Sequence, residues 1–219
     1  MTNRSASPPV MPDVRLKGKM KTRREFLSVL RDYDTWVDFS RPDFLQELNH
    51  LADASFTKGT VEGHLAALLI YHQLCEELLR VLIDKSHFLL QCSVFPQRME
   101  DRQLPKRMMF GELLREYERT LQLDESPELV KKCRQLNQIR VNMVHKITLK
   151  STVVSISRQT GRCKVLFDDI WQLFDTILDN LRGGIGDYRK EIEEWEEWVE
   201  ELEPPPKKSR PKQSTRNTK

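Results

Sequence analysis

The chain contains no Cys-x-x-Cys pair, no glycine-rich phosphate loop, no His-Glu-x-x-His segment and no serine nucleophile elbow. These absences remove zinc knuckles, dithiol redox chemistry, P-loop nucleotide binding, zincin-type proteolysis and the usual hydrolase nucleophile from the first tier of readings. Glycine and proline are scarce, 8 and 11 in 219 residues, and the prolines gather near the ends. Few turn signals mean long helices rather than many short strands. No apolar run reaches the roughly 18 residues of a membrane span. No apolar stretch follows the basic start, so no signal peptide is expected and the reading is of a cytoplasmic protein. The four cysteines, Cys75, Cys92, Cys133 and Cys163, lie far apart and beside apolar positions, as buried reduced thiols do.

Charge is plentiful and unevenly distributed. Net charge is only +3. Residues 1–24 nevertheless carry seven Arg or Lys against one acid, and residues 204–219 carry six and no acid. Both stretches read as disordered basic tails, suited to touching nucleic acid or to aiding solubility. The segment KKSRPK (207–212) also has the composition of a weak nuclear address. Between core and tail, 187–203 is strongly acidic.

Helical periodicity recurs along the rest of the chain. A disordered arm (1–21) precedes an N-terminal helical extension, 22–57, with one helix over 22–39 and a second carrying Phe44, Leu45, Leu48 and Leu51 after a Ser40 cap. Residues 60–93, capped by Thr60, predict a helix of roughly 45 Å at 1.5 Å per residue. Further helices are predicted at 109–123 and 127–148, the latter with Ser126 as N-cap and Pro127 as first helical residue. STVVSISRQTGRC (151–163) reads as a hairpin or a loop. A helix at 165–182 should stop at Gly183, Gly184 and Gly186. A separate amphipathic helix, 187–203, then presents Tyr188, Ile192, Trp195, Val199 and Leu202 as a seam for a partner. The fold class is therefore all-α, with a four-helix bundle over 58–182.

One position breaks the pattern. In the 127–148 helix, Leu129, Cys133, Leu136, Arg140, Met143 and Ile147 fall at alternating steps of four and three. Arg140 thus occupies a place reserved for the core. A guanidinium there keeps its charge and needs an acceptor. The long helix offers Glu76 and Glu77 for this; alternatively the seam opens there onto a cleft or a second subunit, with a phosphate meeting the charge. His145 follows five residues on, about 140° around the helix, on a face with Arg134, Gln138 and Asn142. The spacing carries little weight alone, because Arg80 and His87 match it too. His72 and Glu76, four apart, have metal-ligand spacing but no second pair, and a satisfied core histidine is the simpler reading. No cofactor and no metal are expected.

The order of elements, with EELLR in a long first helix, FGELLREY in the second and RVNMVH in the third, resembles the HEPN superfamily of helical bundles. The resemblance covers about residues 60–182. It implies a homodimeric, metal-independent endoribonuclease or RNA-binding protein, of the kind found in toxin–antitoxin and antiviral systems. It would make His145 the general acid or base, Arg140 the stabiliser of phosphorane charge and Asn142 the residue that orients the phosphate, with Glu76 and Glu77 in support. The chain departs from the family where Val141, not a polar residue, follows the arginine, and where Ile147 replaces a tyrosine. The chain also resembles the mannitol operon repressor family, whose members are regulators. That likeness implies a non-enzymatic regulator or adaptor, and the 187–203 helix would suit an antitoxin or another protein partner.

Overall fold

The computed structural model describes residues 23–36, 39, 41–95, 97, 99, 104–105, 107–145 and 152–202. Among the described residues there are six α-helices: α1 (Arg23–Arg31), α2 (Pro42–Thr57), α3 (Val61–Ser93), α4 (Phe110–Tyr117), α5 (Ser126–His145) and α6 (Val153–Leu202). No strand occurs among the described residues, so the all-α expectation holds. Both basic tails lie outside them, as do the expected Ser40 cap and Ile147.

The long helix α3 is the axis of the molecule. α2, α4, α5 and α6 all pack against it. This is why Leu68, Tyr71, Cys75, Leu79, Leu82 and Ile83 are buried on several faces rather than along one stripe. Thr60 caps α3 as expected, its hydroxyl accepting the Gly63 N–H at 3.2 Å. Gly63 is required by close approach, since a Cβ there would lie 2.4 Å from the Ser55 carbonyl of α2. The turn between α2 and α3 runs through Gly59 at φ 69°, the left-handed region that favours glycine. The buried Tyr71 hydroxyl donates to Asp53 Oδ1 at 2.6 Å, and Lys164 of α6 reaches the same oxygen at 3.0 Å, so one carboxylate ties three helices together.

Several expected boundaries move. The single helix over 22–39 ends at Arg31. Asp32 then accepts the Asp34 N–H at 3.2 Å, a 3-10 turn follows over Tyr33–Thr35, and Trp36 folds back to donate to the Leu30 carbonyl at 3.0 Å. An aspartate that bonds its own downstream amide offers the backbone an alternative to the helix. In α2 the packed face is Leu45, Leu48, Ala52 and Ser55, while Phe44 and Leu51 are exposed. α4 stops at Tyr117, whose carbonyl accepts from Thr120 Oγ1 (2.7 Å) and Gln122 Nε2 (2.8 Å). Ser126 does not act as a cap. Its buried hydroxyl meets the Tyr117 hydroxyl at 2.8 Å and accepts the Leu123 N–H at 3.0 Å, fastening α5 to α4.

The largest correction concerns α6. Neither the expected hairpin or loop at 151–163 nor the stop at Gly183–Gly186 occurs; α6 runs unbroken for 50 residues, about 75 Å at 1.5 Å per residue. Ile156, Thr160, Cys163, Phe167, Ile170, Phe174, Ile177, Leu181, Ile185 and Ile192 form one buried stripe through both places. A glycine in a helix costs about 1 kcal/mol, whereas each fully buried Ile, Leu or Phe returns about 1.5–3 kcal/mol, so packing wins. Gly184 has its own reason, because a Cβ there would press Leu89 of α3 at 3.2 Å. α5 and α6 are joined by a short segment and lie side by side, with Lys132 paired to Asp169 at 2.7 Å.

Candidate anion-binding site between α3 and α5

The seam read from the sequence is present. Leu129, Cys133, Leu136 and Met143 are buried, and Arg140 sits half-buried among them. Its Nε is buried and has no hydrogen-bond partner among the described residues. The guanidinium thus carries its charge into the α3–α5 seam without spending all of its donors.

What faces it comes from α3. His72, Glu76 and Arg80 follow one another at four-residue steps. His72 Nε2 lies 3.1 Å from Asn137 Oδ1 on α5, and its Nδ1 lies 3.5 Å from Glu76 Oε1. Gln73 Nε2 donates to Glu76 Oε2 at 3.2 Å. The Phe110 ring of α4 covers the imidazole, with centroids 4.5 Å apart. Arg80 donates to the Pro105 carbonyl at 3.2 Å. Burial holds the His72 imidazole below its ordinary pKa, opposed by the Asn137 bond and reinforced by the Arg140 charge, which favours a neutral ring. Burial pushes the Glu76 carboxyl up, against the pull of Arg80, the Gln73 bond and Arg140, and the half-buried Glu77 beside it adds a like charge.

Glu76 is therefore in electrostatic reach of Arg140, yet the two form no ion pair at contact distance among the described residues. The acid is tethered to its own helix and compensates the charge from there. The structure thus brings Glu76 toward Arg140 and adds His72, Asn137 and Arg80, which the sequence reading had not joined to the site. Asn137 was findable, since it lies three residues before Arg140, beside the same seam.

His145 and Asn142 occupy another face. His145 is the last residue of α5 and is exposed. Asn142 is half-buried and its Oδ1 accepts from Gln138 at 3.3 Å. Arg134 on that face holds Glu118 through both carboxylate oxygens, at 2.7 and 2.8 Å. No hydrogen bond joins Arg140 to His145 or Asn142 among the described residues. Burial pushes the thiols of Cys133 and Cys163 up to about 12, so these buried free cysteines are poor nucleophiles.

Among the described residues no group of three or more His, Cys, Asp or Glu is placed to hold a metal ion, and no helix is long and apolar enough to cross a membrane. No protein family, no curated protein and no solved structure matches this chain.

Proposed function

We propose that the chain is a HEPN-like protein that binds RNA at the α3–α5 seam and cleaves it without a metal ion. The observation that carries this reading is Arg140, a permanent cation on a buried seam whose Nε has no hydrogen-bond partner among the described residues, with Glu76 in electrostatic reach. Such an arrangement suits an incoming phosphodiester, which supplies both charge and acceptors. RNA brings its own nucleophile in the 2′-hydroxyl, so charge stabilisation by Arg140 and proton transfer by His145 form a sufficient set, with Asn142 orienting the phosphate. Arg140 and His145 point to different faces of α5. The two roles therefore meet most simply across a homodimer, His145 of one copy approaching Arg140 of the other.

The test is direct. Purified protein should cut single-stranded RNA in EDTA and leave 2′,3′-cyclic phosphate ends, and His145→Ala should not. Equal cutting by the variant would remove His145 from the site.

A second reading, a non-enzymatic adaptor, is favoured by α6. The helix continues through the acidic residues after Asp187 to Leu202, beyond its last described buried residue, Ile192. If this end docks a protein partner, truncation after Glu194 should abolish partner binding and leave the melting transition of the core in place.

A further inference from the structure

The face that α6 buries continues past the end of its cover. α3 and α6 run in the same direction, with the Tyr71 ring on Phe167 (centroids 4.8 Å apart) and Leu89 beside Gly184. Ser93, the last residue of α3, is thus level with about residue 188, and α6 runs on to Leu202, about 20 Å farther at 1.5 Å per residue. Positions 188, 192, 195, 199 and 202 share one side of a helix. Tyr188 and Ile192 pack on the core, whereas Trp195, Val199 and Leu202 fall on the same side beyond the end of α3. Carboxylates dominate the rest of this stretch, since 187–203 holds nine Asp or Glu against two Arg or Lys. A second copy of the helix would set these charges against their like. The fitting occupant brings apolar side chains and positive charge together.

The chain itself supplies such a segment. Residues 14–21, VRLKGKMK, alternate strictly, placing Val14, Leu16 and Met20 on one side of an extended chain and Arg15, Lys17, Lys19 and Lys21 on the other. Eight extended residues span about 26 Å, close to the length by which α6 projects. The segment also starts from the right place. Phe26 of α1 stacks on Phe95, just past the end of α3, at 5.5 Å, while Phe39 meets Phe174, lower on α6, at 5.5 Å. Followed back from Phe39 to Phe26, the chain climbs toward the end of the bundle from which α6 projects, and α1 opens there at Arg23. The C-terminal tail fits less well, because 207–219 holds no aliphatic or aromatic residue and three prolines, Pro204 to Pro206, favour a stiff connection before it. We propose that residues 14–21 dock along the projecting end of α6 in the same chain, Met20 nearest Trp195 and Val14 nearest Leu202, with the lysines reaching the flanking glutamates. The docking is intramolecular, so the arm acts at high effective concentration. It is independent of the α3–α5 seam. An anionic ligand for the arm, or another protein for α6, gains its surface only by displacing the other.

The experiment treats the full chain with a carbodiimide, which joins a lysine amine to a carboxylate in contact with it, and identifies the joined peptides by mass spectrometry. Equal amounts of ordinary and heavy-isotope-labelled protein are mixed beforehand, so that links within a chain differ in mass from links between chains. Lys17, Lys19 and Lys21 should be joined to glutamates between Glu194 and Glu203 within one chain. Leu16→Ser combined with Met20→Ser removes apolar contacts but no charge and should lower these links by about tenfold or more. Urea unfolding with an unchanged slope checks that the bundle of the double variant is intact. A double variant that keeps its links reduces the contact to charge attraction alone and overturns the docking. Links to α6 from Lys207, Lys208 or Lys212 in place of the arm, links only between labelled and unlabelled chains, or no links to α6 overturn it as well.

Discussion

Arg140→Met should make the protein more stable and less functional at once. The guanidinium lies half-buried on a seam of Leu136 and Met143, with a buried Nε that has no hydrogen-bond partner among the described residues. An unsatisfied buried donor costs about 1–3 kcal/mol, and this one, a buried atom on a half-exposed residue, falls in the middle at about 2 kcal/mol. Methionine keeps the apolar stem contacts and removes the stranded donor. Against this, Glu76 loses an attractive charge, an offset of about 1 kcal/mol for a partly solvated pair not in contact. The net expectation is a gain of about 1 kcal/mol, or about 2–4 °C in Tm for a chain of this length. Adding Glu76→Gln removes the offset and should bring the gain to about 2 kcal/mol, so the two substitutions couple rather than add. Urea unfolding at pH 7 with an unchanged slope is the assay. RNA binding should be lost in both proteins. If Arg140→Met costs more than about 1 kcal/mol and Glu76→Gln does not rescue it, the guanidinium is a satisfied structural group and the reasoning fails. If the variant is stabilised but binds RNA normally, Arg140 is not the anion ligand.

Other outcomes follow from single residues. Gly63→Ala should destabilise by more than about 2 kcal/mol in urea unfolding, because its methyl group would meet the Ser55 carbonyl at 2.4 Å. Gly183→Ala and Gly186→Ala, where a Cβ meets nothing within 4 Å, should each stabilise by about 0.5–1 kcal/mol in the same assay; loss of stability at both would argue against a continuous α6. For His72, whose folded pKa is depressed below 6.5 by burial, the stability it confers is fully present above pH 6.5 and is lost as pH falls through the folded value. His72→Gln should therefore flatten the stability profile between about pH 6.5 and pH 5, and an unchanged slope would show that the ring is not buried neutral.

Legibility in the sequence tracked whether an element declared itself by apolar period alone. The Thr60 cap and the α3 periodicity were readable because both signals agree there. The Leu129–Cys133–Leu136–Met143 seam was readable for the same reason, and it isolated Arg140. α6 was misread at two places by local residue preference. Thr152, Val153 and Val154 look like strand formers, and three glycines in four residues look like a stop. The buried stripe passes through both regions on Ile156, Thr160, Cys163 and Ile185, one of which, Thr160, is a polar residue that a hydrophobicity count discards. Tertiary packing against α3 supplies what local propensity withholds, and only the three-dimensional arrangement shows that surface. The His72–Asn137 contact was hidden differently. It joins residues 65 positions apart, so no local pattern records it.

The Arg-to-His spacing and the buried-arginine criterion turn out to sort the same residues in opposite ways. Spacing alone ranked Arg140–His145 and Arg80–His87 as equals, and gave no reason to look at either. Burial separates arginine from histidine within both pairs. Arg80 is buried, and Arg140 is half-buried with a stranded nitrogen; both act on one carboxylate, Glu76, although they lie on different helices. His145 is exposed at a helix end and His87 is half-buried a full two turns from Arg80. Arg80 comes to Glu76 by the four-residue step of its own helix, and Arg140 comes to it across the α3–α5 contact. That geometry is a physical property of the seam and survives whether or not His145 ever moves a proton.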